Sequence, residues 1–187
     1  MVVPNFDERL ALGRRAEHGI ADALRIRYGV IVTGDLPALA HHGPRLTGNG
    51  KQITLADLQF FGAVRKGWIE IKVKKDLWHV HNRNESPHHG IDKAKWEAYW
   101  NLQRDTGLTV YLMILECTSG VILMRDLHTL NAVGRMFPGK FPDGKPSLNF
   151  DRRAFEIVGR VNWDRQRYRL DFETLDTFVS QLPLVEC

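Results

Sequence analysis

Apolar positions in this chain recur first at helical and then at strand spacing. From Asp7 to Tyr28, the residues Leu10, Gly13, Glu17, Ile20, Leu24 and Tyr28 follow three- and four-residue steps along one stripe, which predicts an amphipathic helix. Gly29 suits its C-terminal cap, and Val30-Ile31-Val32 reads as a short strand. Residues 33–52 are rich in Gly, Pro, Thr and His and predict a surface loop. Two strands follow, Ile53–Val64 and Trp68–Val73, with Lys66-Gly67 in the turn between them. His79 to Gly90 (HVHNRNESPHHG) reads as a second polar loop. A helix is expected from Ile91 to Arg104, closed by Asp105-Thr106-Gly107, and the run from Val110 to Leu115 suits a strand buried on both faces. The remainder alternates short elements: strand Val121–Met124, helix Asp126–Arg135, the loop FPGKFPDGKP, strands Ala154–Val161 and Tyr168–Leu170, and a helix Phe172–Gln181 capped by Asp171. The order is helix, three strands, helix, strand and a mixed tail, an α/β class.

Length and composition narrow this reading. A chain of 187 residues suits one domain, with a core over about 7–116 and a C-terminal extension over about 121–187. Apolar residues at 43% and charged residues at 26% exclude wholesale disorder. The net charge of +4 favours an anionic partner without specifying one. Cys117 and Cys187 are too few for a disulfide framework. No apolar run reaches the roughly 18 residues of a membrane span. The expectation is a soluble, cytoplasmic protein with no membrane partner.

The chemistry concentrates around the strand GWIEIKVKK. Its side chains alternate faces, so Ile69, Ile71 and Val73 point one way and Trp68, Glu70, Lys72 and Lys74 the other. Asp57 lies thirteen positions before Glu70, and a hairpin turning near Arg65 to Gly67 brings the two side by side. Two carboxylates and the Ile71 backbone carbonyl form an all-oxygen donor set, the kind Mg²⁺ prefers, with Lys72 beside them. Such a lysine would orient or deprotonate a water and offset charge developing on a phosphoryl group. The plainer alternative is a Glu-Lys ion pair on an exposed strand face.

Glu17 bears on that choice. It falls within the arc of Leu10, Gly13, Ile20 and Leu24, and a carboxylate inside an apolar stripe is costly to bury without a partner or a metal. The alternative sets it at the stripe's exposed end, paired with an arginine.

With these residues assembled, the chain resembles the PD-(D/E)XK nuclease superfamily, in particular the group containing archaeal Holliday-junction resolvases and phage-encoded nucleases. The match runs over about residues 7–116: a glutamate in the first helix (GRRAEHGIADALRIRYGVIV), an acidic residue in the second strand (TLADLQFF), E-x-K in the third (WIEIKVKK), then a helix and apolar strand (KWEAYWNLQRDTGLTVYLMILE). Ala56 stands where the family name has proline. The resemblance implies a restriction-endonuclease-like αβββαβ core, with a mixed central sheet flanked by helices and an α+β C-terminal extension. It implies a divalent-metal-dependent nuclease, using Mg²⁺ or Mn²⁺, that hydrolyses phosphodiester bonds in DNA, branched or junction DNA included. A homodimer, a role in DNA recombination or repair and the lack of a small-molecule cofactor belong to the same expectation. Asp57, Glu70 and the Ile71 carbonyl would be metal ligands, Lys72 the catalytic lysine, and Glu17 would complete the site directly or through water. Gln103, from the second helix, is a candidate neighbour of that site.

Lys74, Lys75 and Lys93 are candidate phosphate contacts, with Lys66, Arg83 and Lys95 as further basic positions. His79, His81, His88 and His89 invite a zinc reading, but no cysteine or acidic partner sits at familiar spacing. Trp96, Tyr99 and Trp100 have the spacing of a helix core face and also of a base-stacking platform. Two competing functions remain: an inactive or weak nucleic-acid-binding module on the same fold, and an unrelated α/β enzyme whose carboxylates are surface charges. The last would be supported by Glu17 lying far from Glu70.

Overall fold

Helix α1 (Phe6–Tyr28) buries Ala16, Ile20, Ala21 and Leu24 on one side, the stripe expected from the spacing. The computed structural model describes residues 6–28, 31–33, 45–48, 51–61, 66–74, 87–137, 145–164 and 169–172. Strands β1 (Ile31–Thr33), β2 (Arg45–Gly48), β3 (Lys51–Thr54), β4 (Leu58–Phe61), β5 (Lys66–Lys74) and β6 (His88–Asp92) lead to helix α2 (Lys93–Thr106). Then come β7 (Thr109–Glu116), β8 (Val121–Asp126), α3 (Leu127–Val133), β9 (Arg135–Phe137), β10 (Ser147–Asp151), a 3₁₀ turn (Arg152–Ala154), β11 (Glu156–Asp164) and β12 (Arg169–Phe172).

A seven-stranded sheet runs β1-β4-β5-β7-β8-β11-β12. β5 and β7 are parallel, and every other pair in it is antiparallel. The sheet is therefore mixed, and α1-β1-β4-β5-α2-β7 realises the αβββαβ order. Two cores form. Ile69, Ile71, Met113 and Leu115 pack with α1, while Trp68, Leu112 and Ile114 pack with Trp96, Tyr99 and Leu102 of α2. The central strands β5 and β7 are thus covered on both faces, as strands in parallel pairs usually are. Gly67 permits the close approach of β5 to β7, because a Cβ there would sit 2.6 Å from the Thr109 carbonyl oxygen.

Several local expectations need correction. The strand expected over 53–64 is two strands, β3 and β4, broken at Leu55-Ala56-Asp57. β3 turns back on β2 within the stretch read as a loop. Lys66 and Gly67 belong to β5 rather than to a turn. Residues 88–90 are strand, because β6 pairs with β10, and β10 pairs in turn with β9. α2 begins at Lys93, where the Asp92 side chain caps it, and ends at Gly107 in the left-handed region (φ 66°). α3 stops at Val133, and Arg135 already belongs to β9. Phe172 ends β12, and the rest of the helix expected to Gln181 lies outside the described residues. Among the described residues no helix is long and apolar enough to cross a membrane.

A buried ion-pair cluster ties the seven-stranded sheet to β6 and to the turn after β10. Glu116, 3% exposed at the end of β7, accepts from Arg152 Nε (2.8 Å) and Nη2 (3.0 Å) and from Ser119 Oγ (2.7 Å). Its Oε1 also meets His89 Nε2 of β6 at 2.8 Å. Burial acts to raise its pKa, but the hydrogen bonds from Arg152, Ser119 and His89 outweigh it and hold the carboxyl at about 2, below the ordinary 4.5. A depressed carboxyl stabilises the fold above its unfolded pKa, and that stabilisation fades as pH falls from 4.5 through about 2. Glu116→Gln should therefore cost about 3 kcal/mol at pH 7, as breaking a buried pair does. Urea unfolding at pH 7 and pH 3 should find the gap between wild type and variant smaller at the lower pH.

Candidate active site

The site forms where β4 ends. Leu58 pairs with Ile69, and the next step back along the ladder sets Asp57 opposite Glu70. Asp57 does not continue the strand. Its Oδ2 accepts the Ile71 amide at 2.7 Å, the position a strand carbonyl would otherwise fill. From Glu70 onward, the edge of β5 that faced β4 carries no strand among the described residues. The N–H and C=O of one strand residue lie on the same edge. The Ile71 carbonyl therefore opens on the same side as Asp57, with Lys72 Nζ 3.5 Å away.

Glu70 is 1% exposed on the α2 face of the sheet. One of its oxygens pairs with Lys72 Nζ, and the other, Oε2, is buried with no hydrogen-bond partner among the described residues. Tyr99 of α2 sets its hydroxyl against the same carboxylate; burial, followed by the Glu70 charge, raises the phenol and keeps it protonated. Glu17 is half-buried on α1 and feels Glu70 most strongly among its charged neighbours, then Lys72. The three carboxylates and the lysine expected from the sequence thus form one electrostatic cluster, drawn from α1, the β3–β4 break and β5. Glu17 senses the Glu70 charge, so the wide separation that would have supported the surface-charge reading is not seen.

Three acids face one ammonium. Desolvation, then the Glu70 charge, pushes Asp57 well above the ordinary 3.8 and raises Glu17 as well. For Lys72, burial acts to lower the pKa, but Glu70, Asp57 and Glu17 together outweigh it and hold the ammonium above its usual range. Acid groups outnumber the one ammonium in the cluster. No three His, Cys, Asp or Glu side chains among the described residues come close enough to hold an ion by themselves. The donors here are the Asp57 carboxylate, the orphaned Glu70 Oε2 and the Ile71 carbonyl, all hard oxygens. That set fits a small divalent cation that keeps several waters.

The other expected residues are distributed differently. Lys74, half-buried on β5, donates to the Gly90 carbonyl at 3.0 Å. Its burial, followed by the charges of Lys72 and Lys95, lowers its amine to about 8. Lys93 is a surface residue, 3.5 Å from Glu97 one helical turn on. Gln103 turns its Oε1 to the Val110 amide at 3.0 Å, so its side-chain carbonyl closes the α2–β7 connection rather than reaching toward Glu70. Lys75, His79, His81 and Arg83 lie outside the described residues. His89 is committed to Glu116 rather than to a histidine metal cluster. Tyr99 was missed as a site residue. Its one available signal was a hydroxyl on the apolar face of α2, which needs a partner once buried.

Two solved structures follow a similar backbone path. One is Hjc, a Holliday junction resolvase from the archaeal hyperthermophile Archaeoglobus fulgidus, with a TM-score of 0.49 and 14% identity over 76% of this chain and 91% of that one. Another is a nuclease from a fusellovirus, with a TM-score of 0.44 and 13% identity over 84% of this chain and 90% of that one. No protein-family model and no curated protein sequence matches the chain. The fold is restriction-endonuclease-like. The order and pairing of α1, β1, β4, β5, α2 and β7 carry that statement.

An acid whose pKa is raised by folding keeps its proton to higher pH in the folded state than in the unfolded chain. Its ionisation therefore opposes folding increasingly as pH rises above the unfolded value of 3.8. Asp57→Asn keeps an oxygen for the Ile71 amide and removes the charge. In metal-chelating buffer the variant should be more stable than wild type by about 1 kcal/mol or more at pH 8. The advantage should shrink towards zero near pH 4, read by urea unfolding at both pH values.

Proposed function

We propose that this protein is a divalent-metal-dependent nuclease that hydrolyses phosphodiester bonds in DNA. The observation that carries the reading is the convergence of Glu17, Asp57, Glu70 and Lys72 from separate elements at the open edge of β5. Asp57, Glu70 and the Ile71 carbonyl would hold Mg²⁺ or Mn²⁺, with Glu17 contributing directly or through water. Bound there, such a cation supplies Lewis acidity and neutralises charge on a phosphoryl oxygen.

The chain's own groups carry the remaining work. Lys72, held as an ammonium by three carboxylates, suits electrostatic stabilisation of the charge that builds on phosphate oxygens and orientation of the attacking water. Deprotonating that water would first require weaker pairing with Glu70. Tyr99 sets its hydroxyl against Glu70, where a hydrogen bond to the carboxylate would hold its orientation. The Asp57 bond to the Ile71 amide anchors one ligand to the backbone that bears the next. Branched or four-way-junction DNA and a homodimeric state are part of the same proposal, through the family resemblance.

The test uses labelled linear duplex, single-stranded, flap and four-way-junction DNA with Mg²⁺, Mn²⁺ or EDTA. Cleavage should need the metal and fall to background in Asp57→Asn. Lys72→Met should lose about 10²–10⁴-fold in rate while retaining DNA binding. Cleavage that ignores EDTA, or survives Asp57→Asn unchanged, removes the mechanism; metal-independent binding without cleavage selects the inactive binding module. Paired nicks on junctions select the resolvase-like substrate.

A further inference from the structure

A cavity of about 200 Å³ lies beyond the candidate active site, lined by Lys74 of β5, by His88 and Asp92 of β6, and by Lys145, Ser147 and Asn149 around β10. It is smaller than the roughly 300–1,000 Å³ of pockets that enclose drug-sized molecules, and roomy enough for a phosphate group together with several waters. Lys74 points to the same face of β5 as Lys72, about 7 Å further along the strand. His88 is 9% exposed, and its Nδ1 is buried with no hydrogen-bond partner among the described residues. The acid in the lining, Asp92, is already engaged: its Oδ1 accepts the Ala94 amide at 2.8 Å as the cap of α2. Lys95 adds its positive charge to the surroundings of Lys74.

We propose that this cavity is a phosphate subsite, which seats a backbone phosphate of the nucleic acid strand adjoining the phosphate at Lys72, with Lys74 and His88 as its holding groups. The assignment to a nucleic acid backbone rests on the nuclease reading; the affinity for phosphate does not. Lys74 supplies the charge, and His88, whose ring lines the cavity, supplies an imidazole edge beside it. Burial and two neighbouring ammonium groups disfavour the Lys74 charge in the empty cavity, and a bound anion relieves both. Glu116, the buried acid at the end of β7, is paired with Arg152 and does not oppose an anion there.

Inorganic phosphate titrated into the metal-free protein should move the His88 imidazole resonance saturably. The movement should vanish in Lys74→Met and weaken in Lys145→Ala, each checked for fold by circular dichroism. With oligonucleotides that end in hydroxyl groups, Lys74→Met and His88→Gln should raise KM about tenfold and lower kcat far less. No saturable response of His88 to phosphate overturns the subsite. A KM unchanged in both variants, or changed only on substrates with a terminal phosphate, overturns the backbone assignment. Saturable phosphate binding in a protein that cleaves no DNA leaves the subsite standing and removes the nuclease reading.

Discussion

The hydrogen bond from the Ile71 amide to the Asp57 carboxylate is the constraint on which the rest of this site depends. A backbone amide at the edge of a sheet must find an acceptor, and here a side chain supplies it. That substitution ends the β4 ladder at Leu58 and leaves the edge of β5 open from Glu70 onward. It also holds one carboxylate against the strand that presents the next carboxylate, a carbonyl and a lysine. Had β4 continued, backbone would have covered the edge, and the groups clustered there would have had no approach to a substrate.

Two buried acid clusters stand close together in the main sheet, and their contrast is instructive. Glu116 has donors on both oxygens, so folding holds its proton affinity down and the charge supports the structure. Glu17, Asp57 and Glu70 share one lysine, and folding raises the proton affinity of the first two. The first cluster fastens β6 and the Arg152 turn to the end of β7. The second is charge that the fold gathers without compensating, which is the arrangement expected where an external cation is to bind. Lys74 stands opposite Glu116 in the β5–β7 register and two residues beyond Lys72, so one strand serves both clusters.

Much of the core architecture was legible because it depends on local periodicity. α1 has a clear helical stripe, β7 is a continuous apolar run, and α2 ends at Asp105-Thr106-Gly107 as its turn chemistry implies. The elements that escaped sequence reading depend on partners distant in the chain. HHGID has weak strand propensity and becomes β6 because Ser147–Asp151 pairs with it and His89 finds Glu116. β2 and the start of β3 were hidden in a stretch whose composition reads as loop. The break between β3 and β4 was invisible because Ile53 to Phe61 keeps an apolar character through it, and only the Asp57 contact interrupts the strand.

For the site, residue chemistry was readable along the chain while residue environment was not. Strand alternation is a property of the backbone, so placing Glu70 and Lys72 on one face needed nothing beyond their spacing. Glu17 declared itself by breaking an apolar stripe, because burying a carboxylate is too costly to pass unnoticed in a helix pattern. Spacing carries no record of what packs across a sheet. Folding covered the Glu70 face with α2 and gave it Tyr99, when an alternating strand would equally have served as a solvated charged face. Folding also turned Gln103 to a backbone amide and enclosed Lys74 and His88 in a cavity. These outcomes depend on long-range packing, where each group meets whatever donors, acceptors and charges the rest of the chain delivers to it.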